Sequence, residues 1–279
     1  MAEADKKTGT REWSDVSINC SSGCTHGCLY CYARFVARQY GRLKVGGDWR
    51  LEKPKDVDAI RRDPQYRRRY PGVVMFPTTH DITPETAEAC LETLRILLRA
   101  GNSVLLVTKP HMELADRIAS VVYDAWRSDA DARVEIRCTI GALDEAIARD
   151  WEPFAPAPSD RIQCLKFFRL QGLPTSVSME PLLDPASARE IVSAVAEHVS
   201  HTIWVGKMNQ LSARLKWFFN ECQDVDRLVR LRARIQTLEF WQSDARVMSV
   251  VDALSHHPAG AKIRWKDSYQ EVITRLSPP

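Results

Sequence analysis

Short apolar runs rich in β-branched residues alternate along this chain with longer segments whose apolar residues recur at helical spacing. The runs predict six strands, over residues 73–76, 103–108, 133–140, 175–179, 201–205 and 262–265. The segments between them predict helices over residues 84–99, 112–126, 159–171, 185–199 and 224–236. Strands that alternate with helices of this length are typical of right-handed βαβ units and a parallel sheet. The pattern therefore predicts an α/β fold, a full or partial (β/α) barrel, whose chemistry lies at the carboxyl ends of the strands.

Composition limits the class of protein without identifying it. The chain has 279 residues, of which 44% are hydrophobic and 27% charged, values that suit a globular protein with one large domain. No stretch approaches 18 uninterrupted apolar residues, and the charged N-terminus lacks the apolar segment of a signal peptide, so we expect a cytoplasmic protein. The net charge of +3 is compatible with a nucleic-acid partner but does not require one.

Three cysteines in one short segment point to metal chemistry. Cys24, Cys28 and Cys31 have the spacing C-x3-C-x2-C, and Gly23 and Gly27 allow tight turns between them. Three thiolates in such a loop can bind three corners of an iron–sulfur cube and leave the fourth iron without a protein ligand. An open iron can bind a small molecule, as open catalytic metal sites do in general. We therefore predict that these cysteines bind a [4Fe–4S] cluster.

The other cysteines leave alternatives open. Cys20 lies upstream of Cys24 with the same x3 spacing, so a closed four-cysteine cluster or a zinc site is also possible. Zinc sites more often use two separate C-x2-C pairs, and only Cys28 and Cys31 form such a pair here. We interpret Cys20 as a bystander. The remaining four are scattered singly and are predicted to be buried small hydrophobic residues: Cys90, Cys138, Cys164 and Cys222.

The cysteine segment also carries a family resemblance. Residues 23–33, with the sequence GCTHGCLYCYA, resemble the signature of the radical S-adenosylmethionine (radical SAM) superfamily. The wider chain resembles the spore photoproduct lyase-like branch of that superfamily and related phage-type three-cysteine proteins. Four later features carry this likeness: residues 80–85 (HDITPE), residues 151–158 (WEPFAPAP), Arg161 and residues 266–269 (KDSY).

The resemblance implies a fold and a domain organisation. The fold is a partial (β/α)6 barrel in a single domain over residues 15–270, with the cluster loop at 20–33. Residues 1–14 and 271–279 are then predicted to be terminal tails.

The resemblance also implies a cofactor set and a reaction. The open iron of the cluster binds the amino and carboxylate groups of S-adenosylmethionine. One electron, from a reducing partner such as flavodoxin or ferredoxin, leads to cleavage of the sulfonium C–S bond. The resulting 5′-deoxyadenosyl radical takes a hydrogen atom from the substrate. Tyr30 is expected to contact the adenine.

Polar residues at the first predicted strand ends are candidates for binding S-adenosylmethionine. Thr79, His80 and Asp81 follow the first of these strands, where family members often hold the methionyl ammonium with a Gly-Gly-Glu sequence that is absent here. A helix N-cap is the alternative role for Asp81. Lys109 ends the next strand and is expected to neutralise the methionyl carboxylate. Thr139, on the third strand, is a candidate for bonding the carboxylate or the ribose.

The strand at 175–179 adds further candidates. Ser176, Ser178 and Glu180 alternate and so share one face, which is unfavourable in a buried sheet unless they meet a ligand or one another. Ser178 and Glu180 are therefore predicted to bind the cofactor. Glu180 and Cys138 are the candidates for a catalytic role.

The substrate is the least determined part of the prediction. The family resemblance, the basic charge and the arginine-rich segment 61–69 favour a nucleobase or nucleotide, alone or within nucleic acid, that is modified or rearranged. Spore photoproduct lyase has a hydrogen-donating cysteine near the end of its second strand, and residues 76–79 contain none, so thymine-dimer repair is not expected. Three alternatives stay open: a small-molecule radical isomerase or lyase, a non-enzymatic metal-binding nucleic-acid module, and a cluster-bearing subunit of a larger enzyme.

Overall fold

The computed structural model describes residues 9–128 and 133–276, and its strands form one large parallel sheet and one small antiparallel pair. In chain order the strands are β1 (Val16–Ser17), β2 (Ser21–Ser22), β3 (Lys53–Pro54), β4 (Val73–Phe76), β5 (Ser103–Thr108), β6 (Arg133–Thr139), β7 (Thr175–Met179), β8 (Ile203–Val205) and β9 (Ile263–Trp265). The parallel sheet has seven strands in the order β1-β4-β5-β6-β7-β8-β9, and β2 pairs with β3. Since β1 and β9 are the two edges of this sheet, the barrel is partial.

Helices follow the strands and cover the outer face of the sheet. In chain order they are α1 (Tyr32–Gln39), α2 (Val57–Arg62), α3 (Pro64–Arg67), α4 (Ala87–Arg99), α5 (Met112–Ser128), α6 (Glu145–Trp151), α7 (Pro158–Leu170), α8 (Ala188–Val195), α9 (Leu211–Glu221), α10 (Val225–Trp241), α11 (Asp244–Ser255) and α12 (Asp267–Leu276). Of these described helices, none is both long and apolar enough to cross a membrane.

The core explains why the strands could be predicted from apolar runs. Parallel strands covered on both faces are apolar almost throughout their length. The strand register places Phe76, Leu106 and Ile136 side by side on β4, β5 and β6, and each is fully buried. Val177 and Ile203 pair in the same way on β7 and β8. The predicted parallel α/β architecture is confirmed.

Some predicted elements are shorter than their sequence pattern suggests. The helix predicted over residues 185–199 is α-helical only in α8, with a 3₁₀ turn on either side. The strand predicted from His201 begins at Ile203, because the backbone N–H groups of Ser200 and His201 both donate to the carbonyl of Thr175. That shared acceptor marks a turn in the chain just before β8.

The termini of the barrel are more closely packed than their sequence indicates. Residues 1–8 and 277–279 of the predicted tails lie outside the described residues. Gly9–Glu12 forms a 3₁₀ turn whose Gly9 carbonyl accepts a hydrogen bond of 2.6 Å from Lys266 Nζ. Helix α12 continues past the predicted end of the barrel at residue 270. The domain boundaries themselves stay a prediction.

The arginine-rich segment 61–69 lies near the amino end of β5, away from the carboxyl ends of the strands. Asn102, directly before β5, donates to the carbonyl of Arg68 and accepts from the backbone N–H of Tyr70. Arg61 is paired with Asp58 and Glu92. Tyr66 nevertheless connects the segment to the carboxyl edge, because its hydroxyl donates to the carbonyl of Asn19, whose side chain accepts from the backbone N–H of Thr79.

Replacing Asn102 tests this attachment. Its side chain is 1% exposed and bonds three backbone groups, those of Tyr70, Arg68 and Leu97, at 2.8–3.0 Å. Asn102→Ala removes the partners of Tyr70 N and Arg68 O and one of the two donors to Leu97 O, so we expect the free energy of unfolding to fall by about 2–4 kcal/mol. The measurement is denaturant unfolding, with the exposed Asn220→Ala as the control. If the free energy of unfolding changed by the same small amount in both variants, the role of Asn102 in attaching this segment would be contradicted.

Candidate functional site

The carboxyl ends of the strands open onto a cavity of about 780 Å³. Because neighbouring parallel strands end at the same edge, the residue after each strand faces this space. Polar residues of the lining at or after the ends of β4 to β9 include Thr79, His80, Asp81, Lys109, Thr139, Ser178, Glu180, Lys207, Asp267, Ser268 and Glu271. The structure thus brings together side chains from six strand ends that are far apart in sequence.

The cysteine loop forms the opposite wall of the cavity. Cys24, Cys28 and Cys31 all line it, and Cys24 and Cys28 are less than one-tenth exposed. Two tight turns shape the loop, with hydrogen bonds from Gly27 N to Cys24 O and from Cys31 N to Cys28 O. Cys31 also begins α1, because its sulfur accepts a hydrogen bond from the backbone N–H of Arg34. The three sulfurs therefore face one shared space.

The spacing of the thiols decides which metal group suits them. A single tetrahedral zinc ion brings its thiolates to about 3.8 Å from one another, given Zn–S bonds of about 2.3 Å. Cys24, Cys28 and Cys31 do not form a set of sulfurs that all lie within 4.8 Å of one another. A cube of iron and sulfide binds each thiolate through a different iron and so needs the wider separation. The donor set fits an iron–sulfur cluster and does not fit a single zinc ion.

Burial keeps the thiols of Cys24 and Cys28 protonated in the absence of metal. Desolvation raises the pKa of Cys28 to about 12 and raises that of Cys24 well above its usual value. A metal ligand must be a thiolate, so uptake of a metal group here releases protons.

Another group of ligand-type side chains lies behind the loop. Cys20, His80 and Cys90 are buried with their ligand atoms within 4.8 Å of one another. However, His80 Nε2 accepts hydrogen bonds from the backbone N–H groups of Cys20 and Ser21, at 3.1 and 3.2 Å. Because backbone amides only donate, this nitrogen has no lone pair left for a metal. His80 therefore fixes the chain that leads into the cysteine loop.

Asp81 connects two strand ends to the cysteine loop. It accepts hydrogen bonds from the Thr108 hydroxyl and the backbone N–H of Lys109, and its Oδ2 lies 3.3 Å from His26 Nδ1. Burial acts to raise the pKa of Asp81, but its interactions with His26, Lys109 and the Thr108 hydroxyl outweigh it and hold the pKa below its usual range. Asp81 is not the N-cap of α4, a position that Thr86 occupies.

Glu152 connects the loop to a third strand end. Its carboxylate accepts a short hydrogen bond from the Tyr30 hydroxyl and lies 2.6 Å from Arg161 Nη2 and 3.7 Å from Lys109 Nζ. Arg161 also donates to the carbonyl of Thr139 at the end of β6. Burial acts to raise the pKa of Glu152, but Arg161 and Lys109 outweigh it and lower the pKa.

The remaining predicted residues differ in what they contact. Thr79, Thr139 and Ser178 line the cavity, and their hydroxyls make no hydrogen bond to the described residues. Glu180 lies 3.5 Å from Lys266 Nζ, and burial raises its pKa to about 7. Cys138 lies in the hydrophobic core and does not line the cavity, because it alternates with Thr139 along β6.

Several residues of the site had no role assigned from sequence. Glu152 and Arg161 belong to a recognised motif, but their contacts across the fold were not evident from it. His26 lies inside the cysteine loop, is 1% exposed and is bonded to His111. Arg214 on α9 donates to the carbonyl of Tyr30, and no sequence signal marks this contact.

Comparison with curated proteins finds relatives without an assigned activity. The uncharacterized protein ORF301 of Acidianus two-tailed virus is 27% identical over 191 residues, or 66% of this chain and 61% of that protein. The uncharacterized protein MJ0683 of Methanocaldococcus jannaschii is 27% identical over 170 residues, 60% of either chain. The chain therefore spans about three fifths of the length of the curated relatives it matches. No family model matches it.

Comparison with solved structures identifies the fold. A variant of spore photoproduct lyase superimposes with a TM-score of 0.52 at 12% identity, over 80% of this chain and 66% of that one. The chain shares the fold of spore photoproduct lyase. A second variant of that lyase, with bound S-adenosylmethionine and dinucleoside spore photoproduct, gives 0.50 at 12% identity over 74% and 61%. The predicted resemblance to the lyase-like branch and the predicted partial barrel are confirmed at the level of the fold.

Gly23 offers a test of the loop geometry. Its φ is +84°, and a Cβ there would lie 2.5 Å from the carbonyl oxygen of Leu51. Gly41 has a similar φ of +68° but nothing within 4 Å of a Cβ, so Gly41→Ala is a matched control. We expect Gly41→Ala to cost about 1–2 kcal/mol of stability and Gly23→Ala clearly more. Gly23→Ala should also lose most of the iron bound after anaerobic reconstitution, measured per chain, while Gly41→Ala retains it. Equal iron contents would contradict this geometry.

Glu180 predicts a pH dependence of stability. The unfolded chain ionises this carboxyl near 4.5, whereas the folded protein retains the proton to about pH 7. The folded state therefore binds more protons in this window, and stability falls as pH rises through it. Across this pH range we expect the free energy of unfolding to fall by about 1–3 kcal/mol less in Glu180→Gln than in the wild type. Denaturant unfolding between pH 4.5 and 8 measures it, with the exposed Glu190→Gln as the control. An unchanged slope in Glu180→Gln would show that the carboxyl titrates normally.

Proposed function

We propose that this chain is a radical SAM enzyme. The observation that carries the proposal is the cavity itself, where three thiols of one loop face a row of polar side chains at the strand ends. Its volume of about 780 Å³ is within the range of small-molecule and cofactor sites. Spore photoproduct lyase, whose fold the chain shares, is known with S-adenosylmethionine bound.

Cys24, Cys28 and Cys31 would hold the [4Fe–4S] cluster. When bound, a cluster with one iron left open by the protein supplies the electron that cleaves S-adenosylmethionine to a 5′-deoxyadenosyl radical, which takes a hydrogen atom from the substrate. The protein contributes the low exposure of these thiols and the two turns that spread them over separate irons. Flavodoxin or ferredoxin is the proposed source of the electron.

Lys109 is the proposed partner of the methionyl carboxylate. Its side chain is 13% exposed, and the nearest acidic oxygen of Glu152 is 3.7 Å away, too far for a hydrogen bond. Burial acts to lower the pKa of Lys109, but Cys28 as a thiolate and the carboxylates of Glu152 and Asp81 outweigh it and raise the pKa. A buried ammonium with hydrogen bonds still to make favours a carboxylate ligand.

The other polar side chains of the lining are proposed to hold the rest of S-adenosylmethionine. Thr79, Thr139 and Ser178 present hydroxyls to the cavity, and Glu180 presents a carboxyl group. Asp81 and His80 act through the loop and strand ends that they bond, since their polar atoms already have partners.

The proposed substrate is a nucleobase or nucleotide. The support is that spore photoproduct lyase is known with a dinucleoside photoproduct bound. The arginine-rich segment 61–69 does not support this proposal, because it lies at the amino end of β5. Cations of the lining that are available to a phosphate or a base are Arg11 and Lys207.

The decisive experiment is anaerobic reconstitution with iron and sulfide, reduction, and chromatography for 5′-deoxyadenosine. We expect product from the wild type and from Cys222→Ala, whose cysteine lies outside the cavity lining, and none from Cys28→Ala. Nucleosides and oligonucleotides are then compared with small metabolites as stimulants of product formation. A wild type that loads four irons with sulfide but yields no 5′-deoxyadenosine would overturn the proposal.

A further inference from the structure

A carboxylate with no assigned role lies at the centre of the buried contacts beneath the cysteine loop. Glu152 directly follows α6, and its side chain is 1% exposed. Burying a carboxylate is strongly unfavourable unless charged and hydrogen-bonding partners surround it. Glu152 has three such partners from three elements: Tyr30 in the cysteine loop, Arg161 on α7 and Lys109 after β5.

The backbone around Glu152 lies along the same loop. Leu29 N donates to Trp151 O at 2.9 Å, and Phe154 N donates to His26 O at 3.3 Å. These bonds and the Tyr30–Glu152 contact attach the segment 151–154 to the loop at three points. The segment therefore fixes the loop from the side opposite Asp81.

The two cations beside Glu152 also contact other groups of the fold. Arg161 already has the carbonyls of Pro156 and Thr139 as acceptors, besides the carboxylate. Lys109 lies near Asp81 through its backbone N–H, which donates at 3.0 Å. The distinctive contribution of Glu152 is a negative charge between two cations, next to Trp151, whose carbonyl accepts from the backbone N–H of Leu29 beside Cys28.

We propose that Glu152 is a positioning residue that holds Lys109 and the cysteine loop in one geometry and sets the electrostatic field at the Cys28 corner of the cluster. This inference rests on the proposed function. Glu152 does not line the cavity. It acts through Tyr30, which adjoins Cys31, and through the ammonium of Lys109, which faces the cavity.

The first test is the reduction potential of the cluster. Glu152→Gln keeps the shape of the side chain and removes its negative charge, so the reduced, more negative cluster becomes easier to form. We expect a more positive potential in a titration followed by electron paramagnetic resonance, at wild-type iron content. Glu145→Gln on α6, whose side chain is 54% exposed, is the matched control and should leave the potential unchanged. If Glu152→Gln did not change the reduction potential, or if both variants changed it equally, the electrostatic role would be overturned.

The second test is a double-mutant cycle on S-adenosylmethionine affinity, measured by equilibrium binding. If Glu152 positions Lys109, Glu152→Gln weakens binding about tenfold in the wild-type background and by less than about twofold in Lys109→Met. An equal loss in the two backgrounds would assign Glu152 a general structural role and overturn the proposal.

Tyr30→Phe keeps the experiment decisive if Glu152→Gln does not fold. It removes only the hydroxyl that donates a hydrogen bond to Glu152. We therefore expect the affinity for S-adenosylmethionine to fall when Lys109 is present and to stay unchanged in Lys109→Met. The reduction potential of the cluster should stay close to that of the wild type. An unchanged affinity would contradict the positioning role. Failure of the proposed function is seen separately, since a wild type that takes up no cluster or binds no S-adenosylmethionine fails before any variant is compared.

Discussion

Two buried carboxylates determine where the cysteine loop lies relative to the sheet. Asp81 joins the loop, through His26, to the ends of β4 and β5, and Glu152 joins it, through Tyr30, to β5 and β6. A buried charge that loses a partner typically costs 3–5 kcal/mol, so each pairing strongly favours a single arrangement. Lys109 lies close to the two carboxylates, by its backbone N–H to Asp81 and its ammonium near Glu152. The loop and the strand edge are thus fixed as one unit.

The parallel sheet supplies the other half of this unit. Each strand ends at the same edge, so one polar residue per strand is enough to build a continuous wall. That wall has hydroxyls at Thr79, Thr139 and Ser178 whose hydrogen-bonding capacity is not used by the described residues. Strand register keeps these groups in order, because Thr108 pairs with Cys138 and Thr139 pairs with Ser178. A ligand that spans the edge therefore meets a preformed set of donors and acceptors, with Lys109 as its main cation.

The sequence allowed prediction of those features that depend on local pattern. β5 was predicted with its observed bounds from its central apolar run, and β7 from its β-branched Thr175 and Val177 before the Glu180–Pro181 break. β1 was missed since it has two residues and leaves no periodic signal. Cys24, Cys28 and Cys31 were recognisable from spacing within one loop. Glu152 was visible as part of a motif, but its partner Tyr30 is 122 residues away, and such a contact follows only from the tertiary fold. The placement of the segment 61–69 at the amino end of β5 was hidden for the same reason.

The fold brings the cysteines together for a metal group without ionising the Cys28 thiol in advance. Desolvation keeps the Cys28 thiol protonated to about pH 12, although Lys109 and Arg161 lie near enough to favour the thiolate. Their charges are largely balanced by Glu152 and Asp81. If the two cations were unopposed, they would stabilise the thiolate and also any added electron. With the carboxylates present, binding of a metal group must itself drive deprotonation of the thiol. The electrostatic field at Cys28 is then the difference between the effect of the two cations and that of the two carboxylates. A change of one buried charge then alters that field more than any change on the exposed surface, where solvent and salt screen it.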